Sequence, residues 1–247
     1  MLAIVMAADA TPPPREALAG AIRARLPDVE LPPDLADQQH RTLLFFIRGV
    51  MCGIMPMDLP CPLSAQHPPF TTAWYWPQAW DTVKDHKTHL NVFATGGDDA
   101  RLRAVLLGQL VAAAVEATPS ALAAHWATSN AIWPAHVAPR MAAPGSDAPP
   151  IPLCVAVALS RDASGAVSGI TQGLAAFGLM EIESLGYAGA PTDLNGLLLD
   201  LAAYLINSGA VLKDGETVGP DANTKWRVRH EVSRFLPGRK VYRVYFA

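Results

Sequence analysis

The densest group of charged and polar side chains lies in the segment VLKDGETVGPDANTKWRVRH, residues 211–230. Lysine and arginine side chains there could bind an acid or a phosphate, and the glycine turns could add backbone N–H donors. An alternative is a tight Asp-Gly turn between a helix and the last strands, with two arginines on one solvated strand face. If the chain has a small-molecule site, we expect it in this segment. The candidate residues are Lys213, Asp214, Glu216, Thr217, Arg227, Arg229 and His230.

The segment ITQGLAAFGLMEIES, residues 170–184, combines two glycines with two carboxylates and resembles a phosphate-binding loop. A phosphate loop of the P-loop type places lysine and serine or threonine directly after its second glycine. Here Leu179 and Met180 occupy those positions. The pattern instead predicts a strand, a bend around Leu174 to Phe177 with its phenylalanine turned inward, and a second strand.

Two carboxylates in this segment, Glu181 and Glu183, alternate around one isoleucine. On a strand they share one face, because successive side chains point to opposite sides. They could face solvent, or they could pair with Arg227 and Arg229 on a neighbouring strand. The second arrangement is a hypothesis that the structure can test.

The aromatic group around Trp74, Trp76 and Trp80 is a candidate partner surface. Such clusters stack on bases or anchor a partner protein. Base stacking normally comes with a basic groove, and only Lys84 and Lys87 lie nearby. An equally simple interpretation is that Trp76 and Trp80, four residues apart, fix a short helix against the core.

Histidine and cysteine patterns give no sign of metal or nucleophilic chemistry. His86 and His89 precede a predicted strand, in which residues three apart point to opposite faces. The cysteines Cys52, Cys61 and Cys154 form no C-x-x-C pair, which is typical of free thiols in a reducing compartment. We expect Cys61, among prolines, to be exposed and the other two to be buried. The sequence therefore predicts no catalytic residue, no metal and no cofactor.

The composition indicates a globular chain. Of 247 residues, 51% are hydrophobic and 17% are charged. The formal charge of −3 gives no reason to expect nucleic acid or an anionic membrane as a partner. The sequence contains no run of eighteen apolar residues, so we expect no transmembrane helix. The apolar run Leu2–Ala8 lacks the positive flank of a signal peptide, so we expect a first strand and a cytoplasmic location.

The hydrophobic patterns place the elements that would position these residues. In the first half they predict a strand at Leu2–Ala7, a helix after the prolines that Thr11 could cap, a bent hairpin in residues 41–60 and a strand at Leu90–Ala94. A helix capped by Asp98 or Asp99 follows and runs to about Ala117, and another short strand follows within Ala121–Trp133.

In the second half, a proline-rich connector leads to a strand at Leu153–Leu159 and a hairpin. Thr192 is then expected to cap an amphipathic helix that ends at Gly209, before a closing antiparallel pair. The fold class is α+β, with mostly antiparallel sheet or sheets, helices packed on one face and ferredoxin-like strand–helix–strand elements. We interpret the chain as one such domain with two potential subdomains, 1–145 and 146–247.

Several motifs occur together in a characteristic order. They are YWPQAW with HKTHLNV, ITQGLAAFGLMEIE, LLLDLAAYLINSG, VLKDGETVGP and RVRH with VYRV. In this the chain resembles bacterial proteins with the DUF4261 domain, over roughly Leu43 to Phe246 and most densely from Gly169 to Gly219. The resemblance implies an α+β fold and supplies no catalytic residues. Association of similar proteins with toxin and secretion loci would imply an immunity or interaction role.

These observations lead us to expect a non-enzymatic, cytoplasmic protein-binding factor. It would be an immunity or accessory protein that neutralises a partner, such as a toxin or effector, by occlusion, with no nucleic acid or membrane as partner. The oligomeric state stays open. One alternative is a small-molecule-binding domain or enzyme with a polar site at the Lys213–Thr217 turn and Arg227, Arg229 and His230. Another is a structural subunit of a larger assembly.

Overall fold

The strands form two six-stranded sheets within residues 1–33, 41–221 and 223–246, which the computed structural model describes. The chain divides into two compact units, Met1–Cys154 and Val155–Ala247, with one sheet in each. Both sheets are mostly antiparallel and carry helices, so the predicted α+β class is confirmed. The sequence pattern leaves the number of sheets open, and the described residues form two.

The first unit holds a sheet in the order β2-β3-β4-β1-β5-β6, with antiparallel neighbours throughout. Its elements are β1 (Leu2–Ala7), α1 (Arg15–Arg25), β2 (Leu43–Ile47), β3 (Val50–Met57), α2 (Pro68–Thr71), α3 (Ala79–Val83), β4 (Thr88–Thr95), α4 (Ala100–Glu116), β5 (Ala121–Trp126), β6 (Ala131–Pro134), a 3-10 turn (Ala135–Val137), α5 (Ala138–Met141) and α6 (Ile151–Cys154).

Helix α4 forms the centre of this unit, because it contacts the sheet as well as α1 and α5. Its residues 104–114 are all buried, so both sides of the helix face apolar surroundings. The predicted cap is confirmed for Asp99, whose carboxylate accepts hydrogen bonds from the backbone N–H groups of Arg101 and Leu102 at 2.8 and 3.1 Å. The predicted cap of α1 is wrong: that helix begins after Pro14, and no side chain caps it.

The hairpin β2–β3 follows from its turn. Arg48 and Gly49 both have positive φ, 51° and 78°. Two successive residues of this kind form the backbone of a two-residue type I′ turn. The turn fixes the register, and Ile47 pairs with Val50 directly beside it. The predicted bent hairpin is therefore confirmed.

The second unit holds a sheet in the order β10-β11-β12-β9-β8-β7, antiparallel except for the parallel pair β9 and β12. Its elements are β7 (Ala156–Arg161), β8 (Val167–Gln172), a 3-10 turn (Leu174–Phe177), β9 (Ile182–Tyr187), α7 (Pro191–Ser208), β10 (Thr217–Val218), β11 (Trp226–Val232) and β12 (Lys240–Tyr245).

Two boundaries differ from the sequence prediction. The strand expected at Leu153–Leu159 begins only at Ala156, because the prolines before it start the short helix α6. Helix α7 begins at Pro191 after Ala190, and Thr192 lies within its first turn, so the predicted threonine cap is wrong. Its predicted end at Gly209 is confirmed by the left-handed φ of 67° at that glycine.

Among the described residues, no helix combines the length and the apolar character that crossing a bilayer requires.

Candidate functional site

A groove in the second unit lies between α7 and the edge formed by β10 and β11. Helix α7 packs mainly against β7, β8 and β9, which lie on the side of the sheet away from β10. The groove has a volume of about 660 Å³, within the range of ligand-binding clefts. Its walls are Leu197, Asp200, Leu201 and Tyr204 of α7, together with Leu212 and residues 216–221 and 224–226.

The floor of the groove is apolar. Leu201 and Leu212 are 8% and 4% exposed, and Trp226 beside them is half-buried. The phenol ring of Tyr204 stands at the rim with 55% of its residue surface exposed. A leucine and aromatic floor with a tyrosine at its edge is the composition that binding sites share.

The rim of the groove is acidic. Asp200, Glu216 and Asp221 contribute three carboxylates against the single ammonium of Lys225, a net charge of −2. The backbone N–H groups of Thr224 and Asn223 donate to Asp221 at 2.8 and 2.7 Å and lower the pKa of its carboxyl. The groove therefore favours a ligand that carries positive charge beside apolar groups.

The polar side chains of the segment that the sequence marks as a candidate site contact other residues of the same segment. The Asp214 carboxylate accepts a hydrogen bond from the His230 backbone N–H at 2.9 Å and lies 3.6 Å from the Arg229 guanidinium. That hydrogen bond, and then the Arg229 charge, hold the pKa of Asp214 below its usual range. The Lys213 backbone N–H donates to the Glu216 carboxylate at 2.7 Å. These contacts form the tight turn of the alternative interpretation.

The remaining candidates in this segment point in different directions. Arg227 and Arg229 share one face of β11, whereas His230 points to the other face. The Nε2 atom of His230 lies 2.9 Å from the Leu212 carbonyl. Only Glu216 and Thr217 of the seven candidates line the groove. The structure therefore does not bring the seven residues together into one phosphate or acid site.

The tryptophan candidates divide between core and surface. Trp76 and Trp80 are half-buried and pack on a cluster that includes Met6, Val83 and Ile132. They hold α3 against the sheet, as the simpler interpretation expects. Trp74 is 41% exposed, so it is the one tryptophan of the three that a partner could reach readily.

The glycine-containing segment 170–184 gathers backbone N–H groups around a carboxylate of the chain itself. Glu181 accepts hydrogen bonds from the Thr171 hydroxyl at 2.7 Å and from the N–H groups of Gly173 and Ala175 at 2.9 and 3.2 Å. Burial nevertheless raises the pKa of Glu181, since the loss of water outweighs these donors. A nest suited to an anion is thus already filled. The predicted bend at 174–177 is confirmed, but Leu174 is its buried residue and Phe177 is only half-buried.

Glu183 forms an ion pair with a partner that differs from the hypothesis. Its carboxylate lies 2.7 Å from the Arg243 guanidinium on the adjacent parallel strand β12, and it accepts further bonds from the Ser233 hydroxyl and the Arg234 N–H. The expected pairing with Arg227 or Arg229 is wrong, because β12 separates β9 from β11.

The three cysteine thiols have surroundings that disfavour the reactive thiolate form. All three cysteines are free and buried, including Cys61, so its predicted exposure is wrong. Burial raises the pKa of Cys52 to about 12 and also raises the pKa of Cys61 and Cys154. Thiols in such surroundings stay protonated at neutral pH and are poor nucleophiles.

The histidines near β4 bind backbone carbonyl groups. His86 Nδ1 lies 2.7 Å from the Val83 carbonyl, and His89 Nδ1 lies 2.8 Å from the Leu59 carbonyl. In residues 1–33, 41–221 and 223–246, no group of three or more histidine, cysteine or acidic side chains could hold a metal ion.

Sequence reasoning missed most of the groove. Asp200 and Tyr204 lie on α7, whereas Trp226 lies on β11, and no motif links the two helix residues to the tryptophan. The signal that could have found the first two is the polar side of the amphipathic helix, where an aspartate and a tyrosine stand one turn apart.

Comparison with known families gives one match. Residues 170–245 match the model of the family described as Domain of unknown function (DUF4261). The resemblance predicted from the sequence is confirmed over this segment, which contains every groove-lining residue. No curated protein and no solved structure matches the chain.

Proposed function

We propose that the protein is a binding factor whose second unit holds a basic segment of a partner protein in the groove beside α7. The observation that carries this proposal is an apolar floor below a rim with three carboxylates and one ammonium. A segment with lysine or arginine next to an apolar residue would match both properties.

Each part of the groove has a role in this proposal. Leu201 and Leu212 would receive an apolar side chain, whose burial would supply the affinity. Asp200 is exposed on α7 and, within the described part of the chain, makes no ion pair, so its carboxylate is available to a cation. Tyr204 and Trp226 would pack against the methylene groups or the guanidinium of an arginine.

The edge strand β10 could extend the contact. It has two residues and is the outermost strand of its sheet in the described residues. An extended segment laid along β10 would use main-chain hydrogen bonds for affinity and the groove for specificity. Such binding supports a role in which the protein covers a functional surface of its partner, as an immunity or accessory protein does.

The test is a selection from a random twelve-residue peptide library on the purified protein, followed by titration of the enriched peptides. We expect the enriched sequences to carry lysine or arginine beside leucine or an aromatic residue. The double variant Asp200→Lys with Tyr204→Ala should weaken binding by about a hundredfold, because it reverses charge and removes an aromatic contact. Asp85→Lys, an equal charge change at an exposed position of the other unit, should leave binding unchanged.

Two results would contradict the proposal: enrichment of acidic peptides, or equal binding by the double variant. The groove volume also suits a small cationic ligand, which is the second candidate. A thermal-shift screen with polyamines and aromatic amines separates the two. Stabilisation by an amine, lost in the double variant and without any peptide enrichment, would favour the small ligand.

A further inference from the structure

The outermost strand of the first sheet, among the described residues, exposes two large apolar side chains. In β2, Leu44 and Phe46 are 46% and 66% exposed, whereas Leu43, Phe45 and Ile47 around them are buried. The strand LLFFI contains no lysine, glutamate or proline, the residues that usually protect an open sheet edge. An unprotected apolar edge of this kind is a template for pairing with another strand.

The apolar surface continues inward from this edge. Leu44 pairs with Gly53 on β3, Gly53 pairs with Phe93 on β4, and Phe93 pairs with Leu2 on β1. A methyl group on Gly53 would lie 2.5 Å from Cζ of Phe93, so the phenyl ring covers the glycine that pairs with Leu44. Leu2 is also exposed, and the row therefore forms an apolar strip that reaches the edge.

The two residues of β2 with exposed side chains, Leu44 and Phe46, also direct their backbone hydrogen-bonding groups outward. In a hairpin closed by a two-residue turn, the residues that flank the turn form a hydrogen-bonded pair, and bonded pairs then alternate. Ile47, Phe45 and Leu43 therefore bond to β3. The N–H and C=O groups of Leu44 and Phe46 point toward the open edge.

We propose that a second copy of this chain pairs with β2 in an antiparallel arrangement, with a two-fold axis at Phe45. In this register Leu44 lies opposite Phe46 of the second copy, and the same pair recurs on the other side of the axis. The four outward N–H groups and four carbonyls around the axis then bond to one another. Leu44 and Phe46 of each copy become buried in this dimer, and the apolar strips of the two copies join.

The symmetry of the edge is the reason for placing a second copy there. The exposed side chains of Leu44 and Phe46, and their outward N–H and C=O groups, lie at equal distances on either side of Phe45, as a two-fold interface requires. The flanking charges do not oppose this. Arg41 is already paired with Asp58, and Arg48 with Asp28 at 3.0 Å, so these two arginines bring no uncompensated like charges to the axis.

Sedimentation equilibrium of the whole chain over a concentration series is the test. We expect a mass of twice the 26.3 kDa chain. The single variants Leu44→Glu and Phe46→Lys should each raise the dimer dissociation constant about a hundredfold or more, because each places a charge opposite an apolar side chain twice. An equimolar mixture of the two variants should recover a heterodimer, since the introduced carboxylate of one chain faces the introduced ammonium of the other.

The mixture makes the register falsifiable. General stickiness of an apolar patch would be reduced by both variants and not restored by mixing them. A wild-type protein that stays monomeric throughout the series, single variants that remain dimers, or a mixture without heterodimer would each overturn the proposal. Tyr204→Lys, a matched change at an exposed aromatic residue of the groove in the other unit, should leave the dimer intact, so this test is independent of peptide binding.

Discussion

Two buried polar groups, one in each unit, have opposite surroundings. In the second unit, the Glu183 carboxylate is fully buried and receives a guanidinium, a hydroxyl and a backbone N–H. In the first unit, the imidazole of His125 on β5 is 6% exposed, and neither ring nitrogen has a hydrogen-bond partner among the described residues. The energy of a buried polar group therefore depends on its hydrogen-bond and charge partners as well as on its burial.

Breaking the buried ion pair between Glu183 and Arg243 should have the largest effect on the free energy of unfolding. Arg243→Met leaves the Glu183 carboxylate buried without its cation, and we expect a loss of about 3–5 kcal/mol in the free energy of unfolding. Urea denaturation followed by circular dichroism measures it. The double variant with Glu183→Leu should recover much of the loss, because no buried charge remains. A loss below about 1 kcal/mol in the single variant would show that this ion pair contributes no more to stability than an exposed one.

The buried His125, which has no hydrogen-bond partner among the described residues, should make the stability of the protein sensitive to acid. Burial lowers the pKa of His125 to about 4 from an ordinary value of 6.5. Between these two pH values, His125 binds a proton in the unfolded chain but stays neutral in the folded protein. The free energy of unfolding therefore falls as the pH decreases through this range, by about 3 kcal/mol for this group.

His125→Leu should remove this part of the pH dependence. His136→Leu, a change at an exposed histidine of the same unit, should leave it in place. Urea denaturation midpoints at neutral pH and at a pH just above the folded pKa give the comparison. Equal pH slopes in the wild type and His125→Leu would show that the imidazole already has a partner when folded.

The carboxylate in the glycine nest should have an intermediate effect. Glu181→Gln places an NH₂ group among donors that now meet a carboxylate, and we expect a loss of about 1–3 kcal/mol. Glu30→Gln, the same change at an exposed position, should be nearly neutral. An unaltered denaturation midpoint for Glu181→Gln would mean that Glu181 is protonated and already donates a hydrogen bond.

An exposed ion pair should have the smallest effect. Arg41 and Asp58 are both more than half exposed, so water and salt weaken their attraction. Asp58→Asn should change the free energy of unfolding by about 0–1 kcal/mol, measured in the same urea titrations. A larger change would indicate that this pair supports the hairpin next to the β2 edge.

The sequence predicts the local elements of this protein well. The first strand, the hairpin within residues 41–60, the helix cap at Asp98 or Asp99 and the helix end at Gly209 were predictable because they depend on residues close together in the chain. Hydrophobic period and turn chemistry carry that information directly.

Long-range pairing is where prediction from the sequence fails. Nothing near Glu183 shows that β12 lies beside β9 and that Arg243 becomes its partner. The groove is hidden for the same reason, because Asp200, Asp221 and Trp226 meet only when the helix and the sheet edge are in place. Local patterns do not contain the order of strands in a sheet.

The position of β12 has a consequence for how the protein is made. Of the strands in the described residues it is the last to leave the ribosome, yet it lies between β11 and β9 in the interior of its sheet. Until it emerges, β7, β8 and β9 can form one ribbon while β10 and β11 form a separate hairpin. The sheet of the second unit therefore forms completely only after β12 has emerged, when Glu183 can pair with Arg243.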